Sequence, residues 1–172
     1  MARVYLVSEK TLKTNSVIND NVDSMYINPA IEYSQDEGLQ LLIGTKLYEK
    51  LMDLVENGSI TLPENKHYKL LLDEYVTPYL INKVTAEIQI PLSWKLRNQG
   101  VVVQNGEHTY VPSIRDVQYV VQNYENKANF YGNRMSDYLR ANRKLFPEYL
   151  HKTDCSEILG NKNSYNTGIY LG

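Results

Sequence analysis

Three histidines, His67, His108 and His151, and one cysteine, Cys155, are the side chains of this 172-residue chain best suited to metal or nucleophilic chemistry. None of the histidines stands three or four residues from another, as two ligands on one helix face must. Cys155 has no second cysteine to bridge, lies in a polar segment beside Asp154, and so sits where a thiolate is disfavoured. Glu32 and Asp36, and likewise Glu49 and Asp53, stand four apart and share a helix face. Solvated helix faces carry such pairs routinely, and no histidine motif joins them. The stretch LIGTKLYEK holds a Gly and a Lys but not the GxxxxGK[ST] frame that cradles phosphate, so Gly44 reads as a helix end. No nucleophile elbow surrounds any serine. The residue types point away from catalysis, metal and cofactor, and toward a protein that works by binding.

Around these residues the apolar spacing is helical. Asp23 or Ser24, or alternatively Asn28 with Pro29 at the first helical position, can start a helix that carries Ile31, Gln35, Leu39 and Leu42 to Gly44. Leu47, Leu51, Leu54 and Val55 share a face of the next helix, which Asn57-Gly58 closes. Tyr68, Leu71, Leu72 and Tyr75 form another stripe, and Pro78 restarts a helix in which Pro91 is expected to make a kink, with Trp94 and Leu96 continuing the buried face. From Ile114 the apolar positions Val117, Val121, Tyr124, Ala128, Tyr131, Met135 and Tyr138 step by three and four alternately, a heptad seam capped by Ser113. About thirty residues at roughly 1.5 Å each predict a spine on the order of 45 Å, ended at Pro147.

One segment breaks the helical pattern. GVVVQNGEHTYVP places Val101, Val102 and Val103 before a turn at Asn105 and Gly106, with Thr109, Tyr110 and Val111 after it. This spells a single β-hairpin over 100–111, since Asn-Gly accepts the positive φ of a two-residue turn. An isolated hairpin is marginal in water and must lean on something.

A formal charge of -2 supplies no broad basic field for nucleic acid. The one basic concentration, Arg134, Arg140, Arg143 and Lys144, complements the negative end of the spine helix without invoking DNA. The Val4–Val7 apolar run is too short for a signal-peptide core or a membrane span, which predicts a soluble protein made in the cytoplasm. Fifteen tyrosines against two phenylalanines suit a surface exposed first and buried later, though a coding bias toward Tyr, Asn, Lys and Ile explains them equally well. The last residues are polar and glycine-punctuated yet finish on Ile169, Tyr170 and Leu171. That ending reads as an apolar anchor on a loose arm or as a tail that folds onto its own domain.

The segments EYSQDEGLQLLIGTKLYEKLMDLV, YKLLLDEYVTPYLINKVTAEI, GVVVQNGEHTYVPS and NYENKANFYGNRMSDYLRANRKLFPEYL, in that order, resemble the head-tail connector (adaptor, or ring) proteins of tailed bacteriophages. The group concerned is that of phages of Bacteroides-type bacteria, crAss-like phages included, and the resemblance spans roughly residues 22 to 150. It implies a mainly α protein: a helical bundle with one long spine helix, a single β-hairpin and an extended C-terminal arm. The expected division is a helical connector domain over 1–152 and a flexible arm over 153–172. The implied work is structural, a virion protein at the capsid vertex that forms a ring of about twelve copies beneath the portal protein, meets tail or other neck proteins and continues the DNA channel. Genomic DNA would pass through without sequence-specific binding, and no membrane is involved. In a ring each subunit makes a head-to-tail contact, so projecting elements are needed. Val101, Val102, Val103, Asn105, Gly106, Tyr110 and Val111 of the hairpin and Ile169, Tyr170 and Leu171 of the arm are the expected partner-binding residues. The competing expectation is a monomeric or dimeric helical protein-binding or assembly module without enzymatic activity.

Overall fold

The computed structural model describes residues 4–97, 100–103, 113–151 and 155–160. Short helix α1 (Glu9–Asn15) starts at Ser8, whose hydroxyl accepts from the Thr11 amide. Helix α2 (Ser24–Tyr33) widens into a π turn over Ser34–Leu39 and narrows again as α3 (Gln40–Ile43). Gly44, at φ 84°, turns the chain into α4 (Thr45–Glu56), and left-handed Gly58 lies just past the end of α4. After two 3-10 turns the chain forms α5 (Lys66–Leu71), a second π turn (Leu72–Val76) and α6 (Thr77–Ser93) without interruption. The strands β1 (Trp94–Arg97) and β2 (Gly100–Val103) follow, then the 28-residue helix α7 (Ile114–Ala141).

The second π turn has a local cause, and the first has a structural effect. Pro78 has no amide to donate, and its ring crowds the preceding turn. The widened turn sits directly before it, where the Thr77 amide reaches back five residues to the Leu72 carbonyl. At the first π turn the Gln40 amide bonds the Gln35 carbonyl in the same way. The turn holds Gln35 in the core, where its side chain substitutes for a neighbouring strand. The Leu6 amide donates to Gln35 Oε1 (2.8 Å) and Gln35 Nε2 donates to the Val4 carbonyl (3.3 Å), which pins the N-terminal segment and buries Leu6 and Val7.

Helices α2, α6 and α7 surround one core, with Ile27, Ile31, Leu39, Leu80, Ile88 and Met135 fully buried. On α7 the inward side includes Ala128, Gly132 and Ser136, small residues four apart that admit Tyr79 and Leu42 closely. Beyond α7 the chain folds back and inserts Phe146, fully buried, edge-on against Tyr68 and Tyr138 at ring-centroid separations of 5.5 and 5.8 Å.

Mainly helical architecture and a long spine are observed, with several corrections of detail. The hairpin expected over 100–111 is not the pairing present: β2 pairs antiparallel with the upstream β1, Trp94 opposite Val103 and Arg97 opposite Gly100. The expected turn at Asn105-Gly106 and strand at 109–111 lie outside the described residues. Trp94 and Leu96 therefore leave the helix, and Pro91 falls two residues from its end rather than at a mid-helix kink. Of the two helix starts the sequence offered, the structure takes the first: α2 begins at Ser24 with Asp23 in the N-cap position, and Pro29 lies inside it. The spine stops at Ala141, where the Asn142 amide and side chain both bond the Tyr138 carbonyl, six residues before Pro147.

The closure by Phe146 gives a direct test. Phe146→Ala should cost about 3–5 kcal/mol in chemical denaturation, as for other buried aromatic truncations. Leu145→Ala, beside it but exposed, should stay within about 0.5 kcal/mol. Equal effects of the two would refute the placement of this segment.

Candidate interaction surface

The N-terminal half of α7 is built to project. Ser113 and Asp116 form a capping box: the Ser113 amide donates to Asp116 Oδ2 (2.9 Å) and the Asp116 amide to Ser113 Oγ (3.3 Å). The Ser113 hydroxyl and amide hold the Asp116 carboxyl below the usual carboxylate range. From this cap, Ile114 (60% exposed), Tyr119 (75%) and Val120 reach solvent, as does Ile90 on α6. Ile90, Ile114, Val117 and Val121, with Gln118 and Gln122, line an open groove of about 450 Å3. Scattered apolar residues at a surface need no explanation, but four lining one groove are characteristic of a contact site. The β1–β2 pair extends from the same end of α6, and each strand has an outer backbone edge unpaired among the described residues.

Of the residues expected to bind partners, Val101, Val102 and Val103 fall in β2, opposite Leu96, Lys95 and Trp94. Asn105, Gly106, Tyr110, Val111, Ile169, Tyr170 and Leu171 lie outside the described residues. The base of the arm is docked. Thr45 donates its amide to the Ile158 carbonyl (2.9 Å) and accepts the Ile158 amide on Oγ1 (2.9 Å), and Lys46 pairs with Glu157 (2.7 Å). Buried Gly160 fits where a Cβ would come within 2.9 Å of both the Leu42 carbonyl and the Tyr149 ring. Within the expected arm, residues 157–160 return to the junction of α3 and α4.

The candidate chemical residues take structural places. Glu32 and Asp36 accept hydrogen bonds from Tyr5 (2.9 Å) and Tyr48 (2.9 Å), while Glu49 and Asp53 are exposed. The His67 ring lies tilted against the Tyr68 ring at 4.2 Å, His151 is exposed, and His108 lies outside the described residues. Cys155 is exposed. Arg134 covers the Tyr75 ring at 5.0 Å, Arg140 faces Asp137 at 3.6 Å, and Arg143 and Lys144 are exposed in the turn after α7. Among the described residues no group of His, Cys, Asp and Glu is arranged to hold a metal, and no helix is long and apolar enough to cross a membrane.

Sequence reasoning missed a polar cleft between the first π turn, α6 and α7. Lys83 spans it, bonded to Glu87 (3.0 Å) and Glu125 (2.8 Å). Burial pulls the Lys83 pKa down, but these two carboxylates outweigh it and hold the ammonium charged, above the ordinary lysine value. Beside it Tyr79 is pushed up to about 12, mainly by burial, with Lys83 opposing and Glu125, Glu37 and Glu87 reinforcing. The only sequence signal was Lys83 four residues before Glu87; Glu125 is forty-two residues away and is brought in by the α6–α7 contact.

Residues 39–157 match a family described as one of unknown function, DUF6712. No curated protein and no solved structure matches the chain.

The docking of 157–160 can be measured. Gly160→Val should free the segment, and exchange of the Thr45 and Ile158 amides should accelerate by about tenfold or more, while the Leu51 amide of the α4 core is unchanged. Unaltered exchange at Thr45 would show that the segment is not held there.

Proposed function

The chain belongs to DUF6712, a family of unknown function, and we propose that it is a structural virion protein, a head-tail connector subunit that assembles head-to-tail into a ring below the portal and continues the DNA channel toward the tail. It acts by binding and not by catalysis. The observation that carries this reading is the groove around Ile90 and Ile114: α7 extends past its packed half and offers apolar side chains at the end where β1 and β2 also leave the helical body. A heterologous contact needs such a projecting end on one copy and a different receiving surface on the next. The resemblance of four ordered segments to connector proteins supplies the partners: the same chain in about twelve copies, the portal protein, and tail or neck proteins. DNA passing through is consistent with the exposed amides of α7 at Asn126, Asn129 and Asn133, which recur at helical spacing and offer phosphate no fixed charge to grip.

A second reading, a monomeric or dimeric helical binding module, is favoured by one observation. Residues 157–160 already dock on their own chain, which leaves less of the arm to clasp a neighbour.

Native mass spectrometry and electron microscopy of the protein, alone and mixed with portal protein, separate the two. Closed rings or a portal-bound ring are expected, and Ile90→Asp with Ile114→Asp should abolish them while changing stability by no more than about 1 kcal/mol, because both side chains are exposed. Monomers or dimers under all conditions, with no affinity for portal, would favour the second reading.

A further inference from the structure

The cleft spanned by Lys83 encloses about 280 Å3. A water needs only about 10–15 Å3 of such space, so the cleft admits a group of several heavy atoms. Its charge is unbalanced. Among the described residues Glu37 and Glu125 line it with Lys83 as the one cation, and Lys83 is already paired with Glu125 and with Glu87 beside the cleft. A surplus of negative charge lining a cleft attracts cations.

A second, independent feature marks the cleft as incomplete. Tyr79 is 5% exposed, its hydroxyl makes no hydrogen bond, and its side chain lines the cleft. The ring reaches this position because Gly38 lacks a Cβ, while Gly132 packs against its face. One added at Gly38 would stand 2.5 Å from the Tyr79 hydroxyl, and one at Gly132 would stand 3.4 Å from the ring. The hydroxyl has no protein partner among the described residues and opens into the cleft, where water or a bound group supplies one.

We propose that this cleft is a binding site for an organic cation, a guanidinium or primary ammonium on a short aliphatic stem. The charged head meets the Glu37 and Glu125 carboxylates and donates to the Tyr79 oxygen. The stem lies along Leu41, Leu42 and Ala128, which line the same space. A guanidinium suits the site best, because its planar fork can donate to a carboxylate and a phenol oxygen at once. The cation comes either from a basic side chain of a second copy or from a free polyamine; the chemistry of recognition is the same.

The test is an NMR titration of the full chain with butylguanidinium, and with butylurea as a neutral control of the same shape. Saturable shifts of the Gly38 and Gly132 amides are expected with the cation only. Glu37→Gln, which breaks no ion pair of Lys83, and Tyr79→Phe should each weaken binding by about fivefold or more, since each removes an acceptor for the charged head. Tyr79→Phe should leave the melting temperature unchanged or higher, whereas a purely structural hydroxyl predicts a lower one with binding unaffected. No saturable shift, or equal response to butylurea, overturns the site. Sedimentation with saturating butylguanidinium then identifies the source. Dissociation of assembled chains assigns the cation to a second copy, and unchanged assembly assigns it to a free polyamine; either result upholds the site, and neither depends on the connector reading.

Discussion

Helix α7 is longer than the body available to bury it, and most of the molecule's surface properties follow from that mismatch. Its 28 residues span about 42 Å. Over the second half, Ala128, Gly132, Met135, Ser136 and Leu139 are buried and the small residues let α6 approach closely. Over the first half only Val117 is buried. An amphipathic helix draws most of its stability from the face it buries, so the first half depends on its capping box and on whatever covers Ile114, Val121 and their neighbours. The same crossing of α6 and α7 also brings Glu125 to Lys83, which forms the polar cleft. Thus one packing contact creates both the projecting apolar end and the charged recess.

The tyrosines have a more internal role than their abundance suggested. Tyr48, Tyr68, Tyr79 and Tyr149 are buried, and Tyr5, Tyr48 and Tyr68 donate to Glu32, Asp36 and Glu148 at 2.8 to 2.9 Å. Hydrogen bonds to charged groups contribute about 1.5–3 kcal/mol where they are shielded. Each bond joins segments distant in sequence, the Tyr68 to Glu148 pair by eighty positions. Burial, followed by the Glu148 hydrogen bond, holds the Tyr68 phenol above its ordinary range, so this pin stays protonated at neutral pH. Tyrosine here closes the fold by its ring and fastens it by its hydroxyl. Tyr33 and Tyr119 are the more exposed ones.

What the sequence made legible was governed by local rules. Gly44 and Gly58 sit at positive φ, Ser113 caps α7, and the seam from Val117 to Tyr138 faces inward for most of its length, because backbone sterics and helical period act within a few residues. Ile114, the first seam position, is the exception, since no described element extends far enough to cover it. The π turns were not read: the first has no signature residue, and Pro78, directly after the second, was taken only as a helix start, so Leu72 to Val76 read as part of an ordinary stripe. The strand at Trp94 was missed because Trp94 and Leu96 fit a helical face as readily as an alternating one, and only the valines of β2 decide between them. Of the cleft, Lys83 and Glu87 were visible as a helical pair, but Glu125 and Tyr79 are brought to them by tertiary packing alone.

The claim on which the rest stands is that the first half of α7 is completed by another chain. Amide hydrogen exchange along α7, in the isolated protein and in its assembled form, tests it most directly. Residues 117–123 should exchange far faster than 132–139 in the isolated chain, and that difference should vanish on assembly. Uniform slow exchange along the whole helix in the isolated chain, unchanged by any assembly, would mean that α7 already has all the partners it needs.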